Sequence, residues 1–388
     1  MKITFPHMGN IWIIIKTLFE LLNVEVVVPP LTSKKTLDLG TKISPESACL
    51  PLKINLGNYI EAAREGADTI AITGGFGPCR FGYYGELQRQ ILEDAGYSYD
   101  VVILEPPDGS MLGLLKRIRY LAGTQNSWGR IMKAIRFAYQ KSVFIDRVED
   151  LIHAARPRLE NKQETELLYQ RALNSLASTM SYRGLEEVIR SVQAEISERQ
   201  AAQNYLTGSE SAEPLRIGIV GEIYTILDPF SSADIEKQLG LLGVEVDRSI
   251  YLSSWVGKHV FLGLAQGYRS MDSYPKLAKP YLAHFVGGHG QETVGSTVKF
   301  IQKGFDGIIQ LLPLTCMPEI VAAGILPRIQ EDYNVPVMSL IVDEHTGRAG
   351  IQTRLEAFVD LLERSRCLKE KVSKETVPKE TVPLGRMC

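Results

Sequence analysis

Short β-branched runs closed by glycine or proline alternate with stretches of helical spacing, and they do so twice along the chain. Residues 2–6, 24–29, 69–73 and 101–105 read as strands, with helical spacing over 12–22, 56–65 and 84–95 between them. Strands alternating with helices predict crossover connections and a parallel sheet, hence an α/β domain. The pattern returns with strands over 216–221, 244–248, 307–312 and 337–342. Residues 111–205 carry no convincing strand and are rich in Glu, Gln, Arg, Ala and Leu. They read as several helices broken near Gly123, Pro157 and Gly184. The expected organisation is an N-terminal α/β lobe over 1–110, a helical segment over 111–205 and a linker over 206–214. A C-terminal α/β lobe over 215–366 and a tail over 367–388 complete the 388 residues, a length that already favours two cores. The tail repeats Lys-Glu-Thr-Val-Pro at 374–378 and 379–383 and is expected to be disordered.

The two α/β blocks resemble each other. Leu21-Leu22-Asn23-Val24-Glu25-Val26 parallels Leu241-Leu242-Gly243-Val244-Glu245-Val246, and Gly66-Ala67-Asp68-Thr69-Ile70 parallels Gly304-Phe305-Asp306-Gly307-Ile308. Each second segment runs through an apolar strand into a turn that carries a cysteine, Cys79 or Cys316. A duplication would place both thiols at equivalent strand ends. Ligands of open α/β sheets bind beyond the carboxyl ends of the strands, so two facing lobes would bring the thiols to one cleft.

The composition excludes several classes. Hydrophobic residues at 45% and charged residues at 23% are ordinary for a globular protein. A net charge of −2 gives no global basic field for nucleic acid. The apolar run 11–15 is too short for a signal peptide, and no run reaches membrane-span length. Five cysteines, an odd number, are too few for a disulfide scaffold in a chain this long. The expected location is the cytoplasm, where thiols stay reduced and can bind metal. Residues 116–158 hold ten Lys/Arg against Asp146, Glu149 and Asp150. That reads first as solvated helix faces and second as a docking face for an acidic partner or for a phosphate-bearing substrate.

Three of the cysteines have suggestive surroundings. Cys49 lies between Pro45 and Pro51, Cys79 follows Gly74-Gly75-Phe76-Gly77-Pro78, and Cys316 lies between Pro313 and Pro318. One such cysteine alone is best read as a small buried hydrophobe. Three in Gly/Pro loops at strand ends point to a metal centre with an open position, an iron–sulfur cluster ahead of zinc. Cys367 and Cys388 read as incidental. His289, in Gly287-Gly288-His289-Gly290, occupies roughly the place before Asp306 that Cys49 occupies before Asp68. It reads as a fourth ligand, a proton donor or a plain loop residue. Glu319, and Glu344 beside His345, are further candidate proton donors, and Arg80 is a candidate for binding an anionic substrate. No phosphate-binding loop and no full Gly-x-Gly-x-x-Gly after the first strand is present.

At these residues the chain resembles the 2-hydroxyacyl-CoA dehydratase subunit family, in its branch labelled dehydratase D-component or CoA protein activase. The resembling segments are Pro6-His7-Met8-Gly9-Asn10, Cys49-Leu50-Pro51-Leu52-Lys53, Gly75-Phe76-Gly77-Pro78-Cys79-Arg80-Phe81-Gly82, Thr315-Cys316-Met317-Pro318-Glu319 and Thr353-Arg354-Leu355-Glu356-Ala357-Phe358. The resemblance implies two Rossmann-like lobes with a 4Fe-4S cluster between them, held by Cys49, Cys79 and Cys316. It implies a small substrate, acyl-CoA in the dehydratases, and a separate ATP-hydrolysing activase that supplies a low-potential electron. Dehydratase (lyase) and ATP-coupled reductase are the enzyme classes it covers, with a homodimer or a related second subunit as the assembly. The rival readings are a non-catalytic electron-transfer or cluster-delivery component, and a zinc or small-molecule binding protein.

Overall fold

The computed structural model describes residues 1–74, 78–105, 110–207, 213–259 and 274–375. The first block forms β1 (Lys2–Thr4), α1 (Ile11–Leu21), β2 (Glu25–Val26), α2 (Lys34–Thr41), α3 (Leu50–Arg64), β3 (Thr69–Thr73), α4 (Phe81–Asp94) and β4 (Asp100–Leu104). Its strands are parallel in the order β2-β1-β3-β4. Four helices follow: α5 (Met111–Leu121), α6 (Trp128–Arg158), α7 (Lys162–Ser178) and α8 (Tyr182–Thr207). The second block opens with β5 (Leu215–Gly221), α9 (Ile223–Leu227), α10 (Ile235–Leu241), β6 (Val244–Arg248), α11 (Leu252–His259) and α12 (Tyr274–Ala278). It closes with α13 (Gly290–Gln302), β7 (Gly307–Pro313), α14 (Met317–Tyr333), β8 (Val337–Val342) and α15 (Arg348–Glu375). Its strands are parallel in the order β6-β5-β7-β8. The two sheets therefore share one strand order, and the α/β two-lobe fold expected from the alternation is the fold observed. In each sheet the winding reverses between the two central strands, β1 and β3 or β5 and β7, where α/β sheets bind ligands.

Some boundaries differ from the sequence reading. β2 shrinks to Glu25–Val26. The break expected at Gly184 falls just before α8, and Gly184 lies in that helix's first turn. α15 continues to Glu375, because 369–375 is rich in Lys and Glu, which favour helix. Most of the linker (208–212) and the rest of the tail (376–388) lie outside the described residues.

α3 starts at Leu50, six residues earlier than its apolar spacing predicts, with Pro51 accommodated in the first turn. Every residue from Leu50 to Ala62 is buried. The helix has no solvent face because α2 packs on one side and the second lobe on another, so amphipathic spacing could not reveal it. Leu50 and Ile54 join the core of the second lobe, whereas Leu52, Leu56 and Tyr59 join that of the first.

The helical segment is equally integrated. α6 packs against α1 and β6, so it spans both lobes. Asp146 of α6 is fully buried; one carboxylate oxygen accepts the Ser253 amide at 2.9 Å and the other has no partner among the described residues. Burial, then Glu149, pushes Asp146 up to about 7 from 3.8, against the pull of Arg248. The folded chain therefore holds a proton there that the unfolded chain releases, and stability falls as pH rises from about 4 through about 7. Asp146→Asn keeps an acceptor for Ser253 without the charge. Urea unfolding should find it more stable than wild type by about 2 kcal/mol at pH 8 and by much less at pH 5. An equal effect at both pH values would rule out this role for the carboxylate.

Candidate functional site

Each of the three cysteines in question stands at the start of a helix. Cys49 is the N-cap of α3 and Cys316 that of α14, while Cys79 directly precedes Arg80, the N-cap of α4. Helix N-termini present unpaired amides and partial positive charge, which favour thiolates and anions. Cys79 follows β3 and Cys316 follows β7, equivalent strands of the two sheets. His289 caps α13, the helix before β7, just as Cys49 caps the helix before β3. The correspondence counted along the sequence is therefore structural.

Arg80 ties the three cysteine segments together across the lobes. Its Nη1 donates to the Ser47 carbonyl at 2.8 Å, and its Nη2 donates to the Thr315 carbonyl at 2.6 Å and to Thr315 Oγ1 at 2.9 Å. The Thr315 hydroxyl in turn donates to the Ser47 carbonyl at 3.1 Å. Thr315 has φ +68°, a left-handed conformation that is costly for a β-branched residue. The bonds to Arg80 and Ser47 hold it there, immediately before Cys316. On the other side, Gly287 and Gly288 have φ +88° and +44°. A Cβ on Gly287 would fall 2.7 Å from the Cys79 amide nitrogen, and one on Gly288 would fall 3.7 Å from Cys79 Sγ. The glycines let the loop before α13 lie against the thiol.

Burial raises all three thiols. Cys49 is pushed up to about 11, tempered by the Tyr84 hydroxyl 2.6 Å from its sulfur. Cys79 and Cys316 are also raised, first by burial and further by the Glu222 and Glu319 carboxylates. Glu222 caps α9, accepting the Tyr224 and Thr225 amides at 3.0 Å each. Its charge raises all three thiols further. Glu319 is fully buried; it accepts the Thr293 hydroxyl at 3.0 Å and Gln310 Nε2 at 2.9 Å. Burial pushes its carboxyl up to about 7 despite those bonds.

The remaining predicted residues divide. Glu344 meets Lys53, one turn into α3 from Cys49, at 2.5 Å across the lobes, with side-chain exposures of 18% and 3%. Burial pushes the Glu344 carboxyl up, but the bond to Lys53, its own backbone amide and the nearby Lys53 charge together leave the group low. Glu344 is thus placed as a structural anion. Lys53→Met should cost about 2 kcal/mol in chemical denaturation, with most of it recovered when Glu344→Gln is added. Simple additivity of the two changes would show that the pair does not act as a unit. His345 is exposed, Cys367 lies exposed on α15, and Cys388 and residues 75–77 fall outside the described residues.

A family model described as 2-hydroxyglutaryl-CoA dehydratase, D-component, matches residues 108–362, more than half of the chain. The chain belongs to this dehydratase D-component family. A second model, described as a CoA enzyme activase uncharacterised domain, matches residues 7–79. No curated protein matches. In this D-component relative, Cys49 and Cys79 fall in the first matched stretch and Cys316 in the second, so the candidate site lies where the two meet. The sequence assigned no role to Glu222, Tyr84, Thr315 or Lys53, although Lys53 and Thr315 stand in the resembling segments. Glu222 had one faint signal, its place directly after a strand-terminal glycine. No helix among the described residues is long and apolar enough to cross a membrane.

Proposed function

We propose that this chain is an iron–sulfur dehydratase component whose Cys49, Cys79 and Cys316 hold a 4Fe-4S cluster in the cleft between the lobes. The observation that carries the reading is three thiols, Cys316 buried and Cys49 and Cys79 half-buried, at three helix N-termini, joined by Arg80 and sharing the field of Glu222. The donor set fits such a group. Thiolates are soft ligands, and metal would replace the protons that burial keeps on the free thiols. Among the described residues, no three His, Cys, Asp or Glu gather as the ligands of a single ion.

When bound, the cluster would supply one-electron reduction of a small substrate at an iron that no cysteine ligates. The chain's own residues do the rest. Glu319, poised near neutrality, can hold and return a proton beside Cys316. Arg80 fixes the spacing of the three loops, and the Tyr84 hydroxyl supports the Cys49 sulfur. His289 stands at the Gly-rich edge as a second proton-handling group. The family description supports an acyl-CoA substrate, and the activase-type match supports a separate ATP-hydrolysing electron donor. Anaerobic purification should yield a brown protein with about four irons and four sulfides per chain. A folded, colourless, iron-free product would sink the reading.

A further inference from the structure

The outward face of α5 is apolar where water would favour polar side chains. Leu112, Leu115, Lys116, Arg119 and Tyr120 recur at helical spacing. With Thr124 and Trp128 they line a groove of about 420 Å³. Leu112 is 72% exposed and Trp128 44%. The opposite face of the same helix is already covered. Leu121 is buried, Ile118 packs on the core of the first lobe, and Arg117 bonds the Ile103 carbonyl at 2.6 Å. A helix apolar on both faces needs cover on both.

Charge indicates what supplies that cover. From residue 111 to 145 the chain has seven Lys/Arg and no Asp or Glu. Inside the groove, Arg119 donates through Nη2 to the Thr124 carbonyl at 2.5 Å and lies 5.9 Å from the Trp128 ring centroid. Its Nη1 has no partner among the described residues. Asp100 touches the rim, accepting the Tyr120 hydroxyl at 2.7 Å. We propose that this groove docks a partner protein that inserts an apolar side chain flanked by carboxylates. Two-fold pairing of this chain through the groove would set Lys116 and Arg119 against their own copies. A helix that lies in a bilayer interface keeps its cations on the face opposite its apolar side chains, whereas here Lys116 and Arg119 stand among them. The assignment does not depend on the cluster.

The test places a photo-crosslinking amino acid at position 112 of the full chain in its own cells and maps the cross-linked peptide by mass spectrometry. The expected product is one partner protein joined through an acidic peptide. Binding of that purified partner should fall at least about tenfold with Leu115→Glu and with the double change Lys116→Glu, Arg119→Glu, and it should weaken with salt. Leu167→Glu, at an exposed leucine of α7, should leave binding unchanged. Equal melting temperatures would show that the variants fold. The proposal is overturned by the absence of a cross-link, by a cross-link to lipid or to a second copy, or by a partner indifferent to the Lys116 and Arg119 changes.

Discussion

Cys316→Ser is expected to strip iron from the protein, from about four atoms per chain to well under one, without unfolding it. Cys316 is buried at the N-cap of α14, held in place by the left-handed Thr315 and its bonds to Arg80 and Ser47. Serine preserves the volume and the cap but replaces a soft sulfur with a hard oxygen. On the proposed function the substitution removes one of three protein ligands, and the only other cysteine among the described residues, Cys367, lies exposed on α15. Cys49→Ser and Cys79→Ser should act alike. Cys367→Ser, at an exposed thiol on α15, should leave iron and sulfide unchanged. Iron and sulfide assays on anaerobically purified variants, with far-ultraviolet circular dichroism for folding, decide the matter. Full iron content in all three variants would remove these cysteines from the site.

The second large effect is on stability. Arg248→Met should cost about 3–5 kcal/mol, lowering the melting temperature by roughly 5 °C in a chain of this length. The Arg248 guanidinium is buried, pairs with Glu149 and with Glu236 at 3.2 Å, and lies over the Tyr251 ring. Glu149 also accepts Asn10 Nδ2 at 2.7 Å and the Tyr169 hydroxyl at 3.2 Å, and Glu236 meets His153 at 2.9 Å. The cluster thus joins the N-cap of α1, α6, α7, α10 and β6. Methionine fills the volume but leaves Glu149 and Glu236 without their main cation, and a buried unpaired charge is the costly outcome. Adding Glu149→Gln should restore a large part of the loss. Arg89→Ala, by contrast, breaks exposed, solvent-screened pairs to Glu86 and Glu93 on α4 and should leave the melting temperature almost unchanged. Similar losses at Arg248 and Arg89 would contradict the network.

Much of the fold was legible because its signals are local. The strands over 69–73 and 244–248 are β-branched and end at turns, and they appear at those residues. Gly123 and Pro157 mark helix ends through the left-handed region and the missing amide, effects that act within one turn. α3 was only half legible, because a helix buried on every side carries no amphipathic stripe. Gly184 misled because a glycine is tolerated in a helix's first turn.

The candidate site divides in the same way. Residue type and loop context singled out Cys49, Cys79, Cys316, Glu319 and Arg80, since thiols in Gly/Pro turns at strand ends are unusual along any chain. The work Arg80 does was not visible. Thr315 is 235 positions away, and no pattern in the sequence links two residues at that separation. Glu344 likewise looked like a proton donor until the fold brought Lys53 to it from 291 positions away. By itself the sequence determined the class of fold, the duplication and the three thiols, because propensity, periodicity and residue chemistry are properties of neighbours. Only the tertiary structure decided which carboxylate is poised near neutrality, which is locked in an ion pair, and which arginine braces the cleft. Burial and charge pairing arise when distant segments share one desolvated space.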